Sequence, residues 1–123
     1  MIDLFLDDAR RCPPGFTLAK NASECIMLLD ECEVRVLSLD YDLGWNMPDG
    51  MEVVRHIVTR RRYPLFIYLH TSSTEGRIKM YQALYANKPE HVKLYNHPMP
   101  DDVLREIEGG KFRVENGRIT ELQ

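Results

Sequence analysis

Acidic residues follow two short apolar runs in this chain of 123 residues. Asp7 and Asp8 come directly after Ile-Asp-Leu-Phe-Leu, and Asp40 comes after Val-Leu-Ser-Leu, with Asp42 two residues further on. If both runs are parallel strands of one sheet, their carboxyl ends lie side by side, and this edge is where open α/β sheets bind ligands. The spacing therefore predicts one acidic pocket rather than scattered surface charge.

Two histidines end two further apolar runs. His70 follows Pro-Leu-Phe-Ile-Tyr-Leu, and His97 follows His-Val-Lys-Leu-Tyr-Asn. Histidine titrates near neutral pH, so it can both donate and accept a proton during catalysis. Two histidines in the same pocket, one as base and one as acid, would suit acid–base catalysis.

The predicted acidic pocket calls for a cation. Carboxylates packed together repel one another unless some of them bind protons or a cation neutralises their charge. Oxygen ligands favour Mg²⁺ or Mn²⁺, whereas added histidines extend the choice to Zn²⁺ or Fe²⁺. We therefore expect a divalent metal, Mg²⁺ or Mn²⁺ before Zn²⁺ or Fe²⁺.

Strand and helix patterns alternate along the chain. Short runs rich in apolar and β-branched residues predict strands, and helical spacing of apolar residues with caps such as Asn21 predicts helices. The residues of the third helix expected to face the core are Ile78, Tyr81, Leu84 and Tyr85. The predicted strands are 2–6, 16–19, 34–39, 65–69 and 91–95, and the predicted helices are 22–32, 51–61, 75–86 and 101–108.

This alternation predicts an α/β fold, specifically a flavodoxin-like doubly wound parallel sheet of strand order 2-1-3-4-5. After the last helix, an alternating run around Asn116 and Gly117 predicts an appended C-terminal β-hairpin. We expect one domain over residues 1–123, with its core at about 2–108 and the hairpin at about 111–122.

The composition is that of an ordinary globular domain, with 44% apolar and 28% charged residues. A net charge of −3 argues against an extended surface for nucleic acid. No apolar run has membrane-spanning length and the acidic N-terminus does not read as a signal peptide, so a cytoplasmic location is expected. The three cysteines lack paired metal spacing and are expected to be reduced thiols.

The residues at these strand ends resemble those of response-regulator receiver domains. The resemblance rests on Leu-Phe-Leu-Asp7-Asp8, on Val-Leu-Ser-Leu-Asp40 and on the segment around His97, and it covers residues 2 to about 108. It implies that Asp7 and Asp8 hold a divalent cation and that Asp40 stands where that family accepts a phosphoryl group. The chain departs from the family where a lysine followed by proline is replaced by His97, and where His70 replaces a threonine or serine.

These departures are similar to a divergent branch, the cyclic-phosphate-processing receiver-like domains. The shared signatures are aspartate-x-aspartate-leucine-glycine, here residues 40–44, and histidine followed by serine or threonine, here His70 and Thr71. This second resemblance implies activity on a cyclic phosphate.

The leading hypothesis is a metal-dependent phosphoesterase that acts on a cyclic phosphate or a related ester, carried by a small molecule or an RNA end. One alternative is a non-enzymatic pseudo-receiver that serves as an interaction module. The other is a phosphoacceptor at Asp40, against which the missing lysine argues. The expected metal ligands are Asp7, Asp8 and Asp40; the expected catalytic residues are His70, His97 and Asp42; and the expected phosphate-binding residues are Thr71, Ser72, Ser73 and Arg77.

Three further loop residues lie near the predicted pocket. Arg10 and Arg11 lie beside the first acidic pair and are candidates for a phosphate contact. Trp45 lies in the loop after Asp42, where it would either stack on a base or ribose, or pack as a lid.

Overall fold

A computed structural model describes residues 1–110 and the backbone of residues 112–115 and 118–121. The elements alternate as the sequence predicts, with bounds that shift by one or two residues. The strands are β1 (Ile2–Leu6), β2 (Thr17–Ala19), β3 (Val34–Leu39), β4 (Phe66–Leu69), β5 (Lys93–Tyr95), β6 (Phe112–Glu115) and β7 (Arg118–Glu121). The helices are α1 (Ala22–Glu31), α2 (Gly50–Arg60), α3 (Thr74–Asn87) and α4 (Asp101–Glu108).

The first five strands form one parallel sheet of order β2-β1-β3-β4-β5, which confirms the predicted flavodoxin-like topology. Leu6 at the end of β1 pairs with Leu39 at the end of β3, and Leu39 pairs with Leu69 at the end of β4. This register places the residues that follow the three strands, Asp7, Asp40 and His70, at one edge of the sheet.

The two faces of the sheet are covered unevenly. Leu4, Leu37 and Ile67 point to the face where α1, α2 and α3 pack in one continuous core. Alternate residues, among them Val36 and Tyr68, point to the opposite face, where α4 contributes Ile107 and the core is smaller. No helix connects β1 to β2, so residues 7–16 form a loop that lies next to the acidic edge.

Side-chain caps fix where α2 and α3 begin. Asp49 accepts a hydrogen bond from the Met51 amide at the start of α2, and Ser73 accepts one from the Gly76 amide at the start of α3. Such caps satisfy amides that have no partner within the helix. They also fix the lengths of the loops that carry residues 40–49 and 70–73 across the end of the sheet.

The expected core face of α3 was wrong in part. Leu84 is buried and Tyr81 is half-buried against the core, but Ile78 and Tyr85 are exposed. The other buried positions of this helix are Gly76 and Met80. A side chain at Gly76 would overlap the ring of Tyr41, so the helix lies close to that ring through its glycine. Because of this contact, the buried face of the helix runs along residues 76, 80 and 84, and Ile78 and Tyr85 lie outside it.

The C-terminal strands β6 and β7 pair antiparallel, with Phe112 opposite Glu121, in agreement with the predicted hairpin. The turn predicted at residues 116–117 lies outside the described residues. Cys12, Cys25 and Cys32 are free thiols. Within the described part of the chain, no helix has the length and apolarity needed to cross a membrane.

We expect Gly50→Ala to disturb the acidic edge from behind. A β-carbon at Gly50 would overlap the backbone carbonyl oxygen of Asp40 and would lie 2.9 Å from the Met80 sulfur. The substitution should lower the free energy of unfolding by about 1–3 kcal/mol, the usual cost of overpacking, as measured by urea denaturation. Gly109→Ala is the matched control, because Gly109 has φ −80° and ψ −2°, which alanine also adopts. Equal stability of the two variants would contradict this close packing.

Candidate metal centre at the carboxyl end of the sheet

A shallow pocket of about 390 Å³ lies at the carboxyl ends of β1 and β3. Its walls come from the loop after β1, the loop after β3 and the start of the loop after β4. The residues that line it are Asp7, Asp8, Ala9, Arg10, Asp40, Asp42, Gly44, Trp45 and Ser72. The four aspartates predicted to share a pocket therefore do so.

Asp7 is buried and accepts four hydrogen bonds. Its Oδ1 atom accepts from the backbone amides of Ala9 and Arg10, at 2.9 and 2.8 Å. Its Oδ2 atom accepts from the Arg10 guanidinium and from His70 Nε2, each at 2.9 Å. Burial by itself would raise the pKa of Asp7, but these donors outweigh it and lower the pKa to about 2. Asp7 is therefore a stable carboxylate.

Asp40 is also buried but is less well supplied with donors. It accepts hydrogen bonds from the Tyr41 amide and the Thr71 hydroxyl, and its Oδ2 atom lies 3.5 Å from the Arg10 guanidinium. Burial is the main cause that raises the pKa of Asp40, and the negative charge of Asp7 adds to it. Of the two buried carboxylates, Asp40 is the one whose charge is poorly compensated.

His70 is held on three sides. Its Nδ1 atom lies 2.6 Å from the Ser38 hydroxyl, its Nε2 atom bonds Asp7, and its ring stacks on Phe5 at a centroid distance of 4.5 Å. Burial lowers the pKa of His70, and this effect exceeds the opposite effect of Asp7 and Asp40. The imidazole is therefore neutral at pH 7. Because Asp7 is ionised, Nε2 donates to it and Nδ1 accepts from the Ser38 hydroxyl.

Ser38 and Phe5 were not predicted as site residues. Phe5 pairs with Ser38 in the sheet register, and Ser38 pairs with Tyr68. The small serine leaves room for the rings of Phe5 and His70 to meet across β3. The sequence signal was a hydroxyl residue inside the apolar run Val-Leu-Ser-Leu, where a polar side chain needs a buried partner.

Asp7, Asp40 and His70 form a compact group of ligand atoms. One oxygen of each carboxylate and one imidazole nitrogen all lie within 4.8 Å of one another. Two carboxylates and one imidazole suit Mn²⁺, Fe²⁺ or Zn²⁺, and the oxygen atoms also suit Mg²⁺. The poor compensation of Asp40 is a second feature that a cation would relieve, so the residues present fit a divalent metal.

Arg10 has a larger part in this site than the sequence indicated. Its guanidinium bridges Asp7 and Asp40, with the same nitrogen 2.9 Å from one carboxylate and 3.5 Å from the other. The sequence feature that could have indicated this role is the spacing of three residues between Asp7 and Arg10. An aspartate that bonds the amides two and three residues later folds the chain into a turn and returns the third side chain towards itself.

The rim of the pocket is exposed. Asp8 and Asp42 lie there, and one oxygen of Asp42 accepts a hydrogen bond from the Gly44 amide. Trp45 is 94% exposed, so it does not pack as a closed lid. Ser72 is exposed and lines the pocket from the β4 side.

His97 does not join the pocket, contrary to the expectation that the two histidines share one cavity. It is exposed, its Nδ1 atom lies 2.7 Å from the Pro98 carbonyl oxygen, and its ring lies beside Tyr68 and Tyr95. Tyr68 is buried in β4 and stacks on Tyr95 at the end of β5, and the His97 ring lies against this pair outside the pocket.

Three of the four predicted phosphate-binding residues are engaged elsewhere. Thr71 donates to Asp40 and accepts from the Ser73 amide, and the Ser73 hydroxyl caps α3. Arg77 donates to the backbone carbonyl of Asn96 at 3.3 Å and does not line the pocket. Ser72 is the member of this set that faces the pocket.

Comparison with known protein families gives a match over most of the chain. The model of a family described as the cyclic-phosphate processing receiver domain matches residues 2–86, which include β1 to β4 and all the residues that line the pocket. No curated protein and no solved structure matches the chain.

The two buried carboxylates should respond oppositely to neutralisation. In the absence of metal at pH 7, Asp40→Asn should raise the free energy of unfolding by about 1 kcal/mol, a typical size for one substitution. Asp7→Asn should lower it by about 2–3 kcal/mol, because the amide nitrogen that replaces Oδ2 cannot accept the hydrogen bonds from Arg10 and His70. Asp42→Asn on the rim is the matched control and should change little.

The pH dependence of these effects follows from the two pKa shifts. Asp40 has a raised pKa, so its ionised form destabilises the fold, and the advantage of Asp40→Asn should disappear as the pH falls and Asp40 binds a proton. Asp7 has a lowered pKa, so its contribution to stability is complete above its ordinary pKa of 3.8 and is lost as the pH falls towards 2. Chemical denaturation from pH 2 to 8 measures both effects; shifts of the same sign in the two variants would contradict this assignment.

Proposed function

Because the chain belongs to the cyclic-phosphate processing receiver domain family, we propose that it is a metal-dependent phosphoesterase acting on a cyclic phosphate or a related phosphate ester. The observation that carries the proposal is the group of Asp7, Asp40 and His70 beneath an open pocket. Such a group would hold one divalent cation at the point where a ligand enters.

In this proposal Asp7, Asp40 and His70 hold the cation, and Asp8 assists from the rim. A divalent cation bound there would polarise a phosphoryl oxygen and lower the pKa of a water molecule. His70 changes from the acid–base role expected from the sequence to a ligand role, because it is buried and tied to two partners. To present a lone pair to a cation at Nε2, the neutral imidazole would carry its proton on Nδ1, and this N–H would donate a hydrogen bond to the Ser38 hydroxyl oxygen.

In this proposal Ser38 does not touch the metal but orients the His70 imidazole, which does. Metal-binding histidines usually donate their second N–H to a nearby acceptor, which fixes the tautomer and the ring. The stack on Phe5 and the 2.6 Å contact with Ser38 supply this support in advance.

The rim supplies the groups that meet the substrate. Ser72 lines the pocket and offers a hydroxyl donor to a phosphate oxygen. One Asp42 oxygen is bonded to the Gly44 amide, and the other is available to exchange a proton with the leaving oxygen of the ester. His97 has no part in this scheme, because its ring is held against the tyrosines outside the pocket.

The open shape of the pocket agrees with a substrate that enters from solvent. The carboxylates and the net charge of −3 give no extended basic surface, so recognition would be confined to a phosphate and its immediate neighbours. A free cyclic nucleotide and the cyclic phosphate at an RNA end both present that group.

The experiment is a hydrolysis assay on 2′,3′-cyclic nucleotides with chelator-treated protein and added Mn²⁺ or Mg²⁺. We expect turnover to depend on the metal and Asp40→Asn to reduce it by more than about 100-fold, since loss of outer-shell partners alone typically costs 10–100-fold. The melting temperature of wild type should rise with Mn²⁺, because a ligand that binds only the folded state stabilises it.

Two matched variants locate the chemistry within the fold. Ser38→Ala should weaken Mn²⁺ affinity by about 10–100-fold, the usual effect of losing an outer-shell partner. His97→Gln should keep most of the wild-type rate. A lasting phosphoryl group on Asp40, or an unchanged melting temperature at millimolar metal, would contradict the phosphoesterase and favour a phosphoacceptor or an interaction module.

A further inference from the structure

Arg10 lies in the place that a metal bound to Asp7 and Asp40 would need. One guanidinium nitrogen contacts Oδ2 of both carboxylates, at 2.9 and 3.5 Å. The Asp7 oxygen also accepts from His70 Nε2, so both of its acceptor positions are used. A cation that binds this oxygen must therefore displace Arg10, His70 or both.

Arg10 is the partner that can leave. The His70 side chain is 6% exposed and is fixed by Phe5 and Ser38. The Arg10 side chain is 46% exposed and belongs to the loop that replaces a helix between β1 and β2. Moving it costs two charge-assisted contacts and disturbs no part of the described core.

The displaced guanidinium stays at the pocket. The Arg10 backbone amide remains bonded to Asp7 Oδ1 at 2.8 Å, which anchors the side chain at the pocket wall. A guanidinium presents paired N–H donors that match two oxygens of one phosphate group. The anion that enters a metal-loaded pocket would be its next partner.

We infer that the Arg10 guanidinium neutralises Asp7 and Asp40 in the metal-free protein. A bound metal would displace it from both carboxylates, and it would then bind the substrate phosphate. This inference rests on the proposed function and adds a residue to it. It makes metal and phosphate binding cooperative, because the metal releases the group that binds the phosphate. It also makes the metal affinity of wild type lower than its ligands alone would give.

The experiment measures binding rather than turnover, with Mn²⁺ alone and then inorganic phosphate in the presence of Mn²⁺, by isothermal titration calorimetry. Arg10→Gln should bind Mn²⁺ about tenfold more tightly than wild type, within the usual range of coupling between sites. The same variant should bind inorganic phosphate about tenfold more weakly once Mn²⁺ is present. Effects of opposite sign that exceed those of Arg11→Gln are the signature of the exchange, since a purely structural arginine would weaken both affinities and a general loss of charge would act similarly at the adjacent residue.

Two further variants keep the result interpretable. Arg11, which the sequence also suggested for a phosphate contact, is exposed and does not line the pocket. Arg11→Gln therefore removes the same charge outside the site and should leave both affinities nearly unchanged. Arg10→Lys keeps the charge but loses the paired, planar N–H donors of the guanidinium. The Mn²⁺ affinity should therefore stay near that of wild type while the phosphate affinity falls.

The exchange is overturned if Arg10→Gln binds Mn²⁺ no more tightly than Arg11→Gln, or binds phosphate as well as wild type. Mn²⁺ binding by Arg10→Gln alone would support it, since Arg10 would then be the barrier to the metal. If neither wild type nor Arg10→Gln binds Mn²⁺, the metal site itself is refuted, and the proposed function fails with it.

Discussion

Repulsion between two buried carboxylates is the constraint on which the rest of the site depends. Asp7 and Asp40 follow neighbouring strands whose last residues are in register, and the Asp40 amide bonds the Leu6 carbonyl at 3.1 Å. Two unit charges about 4 Å apart repel by about 4 kcal/mol at an effective dielectric constant of 20. The fold cannot separate the two carboxylates, because the pairing of Leu6 with Leu39 fixes the backbone positions of Asp7 and Asp40. A positive charge must therefore come from a side chain or from a ligand.

The surroundings meet this constraint unequally. Asp7 receives two backbone amides, a guanidinium and an imidazole, while Asp40 receives one amide, one hydroxyl and a longer contact with Arg10. Asp7 is therefore stabilised as an anion, whereas the negative charge of Asp40 is only partly balanced by its surroundings. The uneven covering of the sheet contributes, because the loop between β1 and β2 supplies Arg10 where a helix would have lain.

The fold and the acidic residues could be predicted from the sequence because both depend on local patterns. Parallel strands bring their carboxyl ends together, so Asp7, Asp40 and His70 were placed correctly at one edge. Their partners could not be predicted, since Phe5 and Ser38 reach His70 only through the strand register. His97 shows the converse: its position after β5 is as expected, but packing against Tyr68 and Tyr95 directs its ring away from the pocket. The core face of α3 depended on one glycine contact, at Gly76.

The most direct test is a crystal structure of the protein soaked in Mn²⁺, with the metal located by its anomalous scattering. We expect one peak at the ends of β1 and β3, about 2.0–2.3 Å from an oxygen of Asp7, an oxygen of Asp40 and Nε2 of His70. The Arg10 guanidinium should then be turned away from both carboxylates. A structure in which Mn²⁺ binds elsewhere, while Arg10 still bridges Asp7 and Asp40, would contradict metal binding by Asp7, Asp40 and His70.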